Sequence, residues 1–198
     1  ARKESHCVRL EIAEDAEEVT RGFLQQQFDV EDSDVYGIPG PLDLGATLES
    51  GQAFRWSRQD GDDGWFRGIV FGNEVSLRQA PAGVEFKSTP GPQELVAPLI
   101  RDYLRLDDDL PVIYSLLEKD DRIKGGIERY RGMRVLRQEP WECLVSFICS
   151  ANNNIPRITR NVGDMASAFG SPVLDGTSDS NAFPTSEQLA DAGENALR

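Results

Sequence analysis

Histidine and lysine are nearly missing from this chain. His6 is the one histidine, and lysine occurs only at positions 3, 87, 119 and 124. A lone histidine near the terminus leaves no His-based acid–base pair and no Ser–His–Asp triad. Cysteine is as scarce. Cys7, Cys143 and Cys149 form an odd set without a C-x-x-C spacing, which argues against a disulfide framework and against a zinc or iron–sulfur site. No Gly-x-Gly-x-x-Gly is present to cradle a phosphate. No stretch approaches the roughly 18 consecutive apolar residues of a membrane span, and Ala1 to His6 has no apolar core of a signal peptide. These absences predict a cytoplasmic, non-secreted protein with no metal, no cofactor and no membrane partner. No internal repeat is visible.

Acidic residues are plentiful. Thirty-four Asp and Glu stand against 21 Lys and Arg, for a formal charge of −13. Such a chain repels phosphate unless it works in concentrated salt, where the screening length falls to about 3 Å. Two readings follow: a protein that never touches nucleic acid, or one from a salt-loving organism. The preference for arginine over lysine favours the second. The balance reverses between 122 and 137, where Arg122, Lys124, Arg129, Arg131, Arg134 and Arg137 face only Glu128. That window is either a binding patch or a solvated helix-and-turn surface.

The pattern of apolar residues predicts an α+β protein. Residues 1–40 read as an adaptable segment in which Leu10 and Ile12, then Val19, Phe23, Leu24 and Phe28, would make a strand and a short helix. Strands are expected over 52–58, 64–71, 74–79 and 84–87, with turns at Gly72-Asn73 and Ala80 to Gly83. The period then turns helical. One helix would bury Leu95, Leu99, Tyr103 and Leu106; others are expected over 110–117 and 121–130. Pro140 opens a fourth, apolar almost all round and so expected to be buried, with Cys143 and Cys149 in its core. Asn152-Asn153-Asn154 marks a joint before a fifth helix, 155–169, with an inner stripe of Ile158, Val162, Met165 and Phe169 and a stop at Gly170. Ser171 to Asn181 reads as a polar loop. Thr185-Ser186-Glu187-Gln188 is a capping box for a last helix, expected to run into the chain end. Lys124-Gly125-Gly126 reads as a helix break rather than a phosphate turn.

Two stretches carry more. Residues 48–56 read Leu-Glu-Ser-Gly-Gln-Ala-Phe-Arg-Trp, and residues 136–158 read Leu-Arg-Gln-Glu-Pro-Trp-Glu-Cys-Leu-Val-Ser-Phe-Ile-Cys-Ser-Ala-Asn-Asn-Asn-Ile-Pro-Arg-Ile. Together, in this order and with a β meander between them, they resemble the 8-oxoguanine DNA glycosylase family, with its SGQ-x-FRW and LRQDP…ECL-x-SFICSxNNNIxRI segments. The likeness covers about residues 42–190. It implies a twisted antiparallel sheet domain with helices over 41–134, after an amino-terminal segment 1–40. Residues 135–198 would be the first helices of an incomplete helix-hairpin-helix glycosylase domain.

The resemblance also implies a task. Such an enzyme pulls its target base from the stack. Gly51 matches the glycine whose carbonyl meets N7–H of 8-oxoguanine. Asn152 matches the asparagine that enters the vacated space and pairs with the estranged cytosine, and Arg157 the arginine that contacts the same cytosine. Each has a plainer alternative: a turn glycine, a helix cap, a solvated charge. The family's nucleophilic lysine, after a turn of the type L-P-G-x-G-x-K, and its aspartate match nothing here. The expectation is therefore a nucleoid-associated, lesion-binding half with no catalytic residue in this chain and double-stranded DNA containing 8-oxoguanine as partner. It would be completed further along the reading frame or by a separate carboxy-terminal polypeptide. A non-catalytic lesion-binding module and an acidic interaction protein are the other readings.

Overall fold

A computed structural model describes residues 8–13, 38–59, 64–81, 83–173 and 180–197. His6, Cys7, the expected helix around Val19 to Phe28 and the middle of the 171–181 loop lie outside the described residues. Within them the chain forms an α+β structure. Six strands make one sheet: β1 (Val8–Ala13), β2 (Ile38–Pro39), β3 (Ser57–Arg58), β4 (Trp65–Val70), β5 (Asn73–Ala80) and β6 (Gly83–Thr89), in the order β2-β1-β6-β5-β4-β3. All neighbours are antiparallel except β1 and β2. The helices are α1 (Leu44–Leu48), α2 (Gln93–Tyr103), α3 (Leu110–Leu117), α4 (Asp121–Arg129), α5 (Pro140–Cys149), α6 (Ile155–Phe169) and α7 (Ser186–Ala192).

Alternation along β4 to β6 puts Phe66, Val70, Val75, Leu77, Val84 and Phe86 on one face of the sheet. There they meet Leu44 and Leu48 of α1 and Val96, Ala97 and Ile100 of α2 in a single core. The expected stripe on α2 is rotated: Leu95 is exposed and Leu99 half-buried, while Val96, Ala97, Ile100 and Tyr103 are inside. Leucine spacing alone could not show which side meets the sheet. On α6, Ile158, Val162 and Ala166 are buried, and Met165 and Phe169 are only half-buried.

Several expectations need correction. The strand over 52–58 shrinks to Ser57–Arg58, because side chains hold the backbone before it in an irregular loop. The β4–β5 hairpin turns at Phe71-Gly72, both at positive φ (47° and 72°), not at Gly72-Asn73. Gly125 and Gly126 lie inside α4 and do not break it. Gly170 does end α6, though not through a left-handed cap. Its φ is −76°, and a side chain there would come within 2.0 Å of the Ala182 carbonyl oxygen. The last helix stops at Ala192, where Gly193 turns at φ 74°, and a 3-10 turn follows over Glu194–Ala196.

The largest correction concerns α5. Of its residues only Val145 and Ser146 are buried; Phe147 is 75% exposed, Ile148 62%, and Cys143 is exposed. An apolar pattern reports a tendency to be covered but does not supply the cover, and no described element packs over this face. Cys149 is half-buried, which pushes its thiol pKa up.

Candidate functional site

The first motif leaves α1 through a tight sequence of contacts. Asp43 caps the helix by accepting from the Ala46 N–H at 2.8 Å. The Ser50 hydroxyl donates to the Thr47 carbonyl, and the chain turns through Gly51 at φ +80°. Gln52 then uses its whole amide. Its Nε2 donates to the carbonyls of Thr47 (3.0 Å) and Arg134 (2.9 Å), and its Oε1 accepts from the Leu136 N–H (2.8 Å). Its own carbonyl accepts from Gln138 Nε2 at 2.6 Å. The Gly51 loop is thereby stitched to the segment that opens the second motif. The Gly51 carbonyl, by contrast, accepts no hydrogen bond from the described residues.

The rest of the first motif clamps onto α5. Arg55 makes a bidentate pair with Glu142 (2.8 Å to each oxygen) and donates to the Asn181 carbonyl, with only 10% and 16% of the two side chains exposed. Trp56 Nε1 donates to the Tyr103 hydroxyl at 2.8 Å. Trp56 lies so close over β4 that a side chain at Gly68 would come within 2.6 Å of its ring. Burial pushes the Tyr103 pKa well up, so this hydroxyl stays protonated. Glu139 accepts from the Phe71 N–H at 2.7 Å, which holds the left-handed turn residue in place. Burial first, and the neighbouring Glu142 second among the causes acting in that direction, raise the Glu139 pKa above the ordinary carboxylate range.

The second motif ends in the asparagine joint, where each asparagine has its own task. Asn154 caps α6, accepting from the Arg157 N–H at 3.1 Å. Asn153 donates to the Cys149 carbonyl and accepts from the Asn154 N–H, both at 2.9 Å. Asn152 stands at φ 53° with an exposed side chain that makes no hydrogen bond to the described residues. The plain alternative for Asn152, a helix cap, is thus filled by its neighbour. Arg157 is exposed, and its side chain makes no hydrogen bond or ion pair with the described residues. Gly51 joins this group in space: a side chain on it would come within 2.8 Å of Ile155 Cδ1, on the first residue of α6.

The basic window does not form one patch. Arg134 is buried in the core, donating to the carbonyls of Arg105 (2.6 Å) and Asp108 (3.2 Å), with burial pulling its pKa down. Arg137 pairs with Asp102 and Asp107, and Arg122 with Asp120. Arg129 and Arg131 lie over the rings of Tyr130 and Tyr114. Gln52, Arg55 and Glu142 are the residues that sequence reasoning passed over, and Arg134 is one it placed on a surface rather than in the core. Their one signal is a polar side chain set among aromatics and leucines.

Residues 38–144 match the family model for the 8-oxoguanine DNA glycosylase, N-terminal domain. This chain belongs to the 8-oxoguanine DNA glycosylase family. It is 36% identical over 166 residues to an N-glycosylase/DNA lyase of Arabidopsis thaliana, covering 79% of this chain and 44% of the relative. With an N-glycosylase/DNA lyase of Saccharomyces cerevisiae it is 35% identical over 160 residues, covering 75% and 42%. In structure it is similar, at a TM-score of 0.71 and 29% identity, to a Clostridium acetobutylicum 8-oxoguanine glycosylase/lyase solved with double-stranded DNA containing cytosine opposite 8-oxoguanine. That match covers 80% of this chain and 53% of the other. The chain spans less than half the length of these two curated relatives. None of them points to a separate carboxy-terminal polypeptide. Among the described residues of this glycosylase-family chain, no group of three or more His, Cys, Asp and Glu could hold a metal ion. No described helix is long and apolar enough to cross a membrane.

Proposed function

We propose that this chain reads 8-oxoguanine opposite cytosine in duplex DNA, as the recognition half of a base-excision glycosylase and abasic-site lyase. The observation that carries the reading is the Gly51 carbonyl: hydrogen-bonded to none of the described residues, on a loop pinned by Gln52, beside the turn that bears Asn152 and Arg157. Oxidation converts N7 of guanine from an acceptor to a donor. Facing a carbonyl, the lesion gains a hydrogen bond. Normal guanine would set two lone pairs against each other, at a cost of about 1–3 kcal/mol. Asn152 offers donor and acceptor together and can mimic a base edge toward the orphaned cytosine. The planar fork of Arg157 suits the adjacent acceptors of the same base. With a formal charge of −13 the chain as a whole repels phosphate, so affinity leans on these base contacts and on shape.

Excision is assigned to residues outside this chain. Lys87, Lys119 and Lys124 match no amine nucleophile of the family, and Lys87 packs over the Trp65 ring in the sheet. Residues 135–198 serve in this reading as the opening helices of a helix-hairpin-helix domain, and binding to DNA would place the protein at the nucleoid. The test is fluorescence anisotropy of the chain with 8-oxoguanine:cytosine and guanine:cytosine duplexes at low and high salt. A lesion preference that Gly51→Ala removes is expected, and no borohydride-trapped adduct. Equal binding of both duplexes at every salt would overturn the recognition reading. A trapped adduct would overturn the assignment of catalysis elsewhere.

A further inference from the structure

Lesion reading and opposite-base reading sit on different motifs, yet one side chain touches both supports. Among the described residues other than its chain neighbours, only Ile155 has heavy atoms within 4 Å of the point where a side chain on Gly51 would begin: Cδ1 at 2.8 Å and Cγ1 at 3.6 Å. Ile155 is 54% exposed, so it adds little to any core. It is the first residue of α6, between the capping Asn154 and Pro156, three residues after Asn152 and two before Arg157. Both ends of the contact are stiff. Gln52 fixes the Gly51 loop through three side-chain hydrogen bonds. The cap and the proline ring fix the backbone around Ile155.

We propose that Ile155 is a positioning residue that couples the two readings, so that seating an oxidised base at Gly51 sets the placement of Asn152 and Arg157 toward the opposite base. This rests on the roles of Gly51, Asn152 and Arg157 given above. A stiff contact transmits a displacement that a soft one absorbs. A base pressed against the Gly51 loop moves Ile155 through its δ carbon, and with it the start of α6. The preference for cytosine would then depend on which base faces it. Two sites joined by a shared contact couple in both directions.

The test uses the 198-residue chain and four duplexes, with guanine or 8-oxoguanine opposite cytosine or adenine. The cytosine-over-adenine preference is measured for each, and the ratio of the two preferences reports the coupling. In the unaltered chain it is expected to be about fivefold or more. Ile155→Val keeps the β-branch but lacks Cδ1, and should bring the ratio close to one. Ile155→Leu supplies δ carbons again and should restore most of it. Neither should shift Tm by more than about 2 °C, as befits a mostly exposed position. If Ile155→Val retains the parent ratio, or weakens all four duplexes by the same factor, the coupling role is overturned. The same follows if the parent prefers the lesion but shows one cytosine preference whichever base it faces. A parent with no lesion preference overturns the coupling together with the reading beneath it.

Discussion

Replacing Arg55 by methionine should cost far more than the loss of a surface ion pair. The guanidinium meets both oxygens of Glu142 and the Asn181 carbonyl at 2.8 Å, in a site where both charged side chains are more than four-fifths covered. Methionine keeps much of the apolar stem but leaves the Glu142 carboxylate enclosed without its cation, next to Glu139. Removing one partner of a buried pair costs about 3–5 kcal/mol. The residual exposure here points to the lower end, about 3 kcal/mol, or a Tm lower by about 6–12 °C for a chain of this size. The sign with pH is also set. Burial, with Glu142 acting in the same direction, raises the Glu139 pKa, so between the ordinary carboxylate pKa and the raised one the folded state holds a proton that the unfolded state has released. The stability from that proton is complete below the ordinary carboxylate range and is lost as pH rises through the raised pKa. Arg55 lowers that pKa, so Arg55→Met should move the loss to higher pH, and the penalty of the substitution should shrink in acid. Thermal melts across a pH series measure both effects. The double variant Arg55→Met/Glu142→Leu, which removes the stranded charge, should return to within about 1 kcal/mol of the parent. A cost below about 1 kcal/mol for Arg55→Met, flat with pH, would class this pair with exposed ones and refute the argument.

Gln52→Ala removes three hydrogen bonds at once and leaves the Leu136 N–H without its acceptor, so urea titration should show a loss of about 2–4 kcal/mol. The asparagine joint should divide its effects. Asn154→Ala should lower stability by about 1 kcal/mol through loss of the α6 cap. Asn152→Gly, which suits φ 53°, should leave stability within about 0.5 kcal/mol and instead reduce the preference for cytosine in duplex binding. Two glycines should respond in opposite ways. Gly170→Ala drives a side chain into the Ala182 carbonyl and should cost about 2–3 kcal/mol. Gly126→Ala meets nothing within 4 Å inside α4 and should stabilise by about 0.5–1 kcal/mol, both read as shifts in denaturation midpoint.

The parts of the fold that could be read from residue order alone are local ones. The bounds of α3 and α6, the capping box at Thr185 and Gln188, and the meander of β4 to β6 follow from caps, periodicity and turn residues acting within a few positions of one another. The two long motifs were legible for a different reason, as a pattern matched to a family, and the roles proposed for Gly51, Asn152 and Arg157 rest on that pattern. Long-range packing alone set which face of α2 meets the sheet and placed Arg134 inside while other arginines of its window pair with acids or lie over rings. It also decided that Gln52 and Arg55 bind the two motifs together, through partners 84 and 87 positions away, and that Gly51 meets Ile155. A side chain's preferences are written in its own chemistry and its near neighbours. Which distant carbonyl or carboxylate satisfies them is settled only when sheet and helices close on a common core, because burial makes an unsatisfied polar group too costly to leave alone.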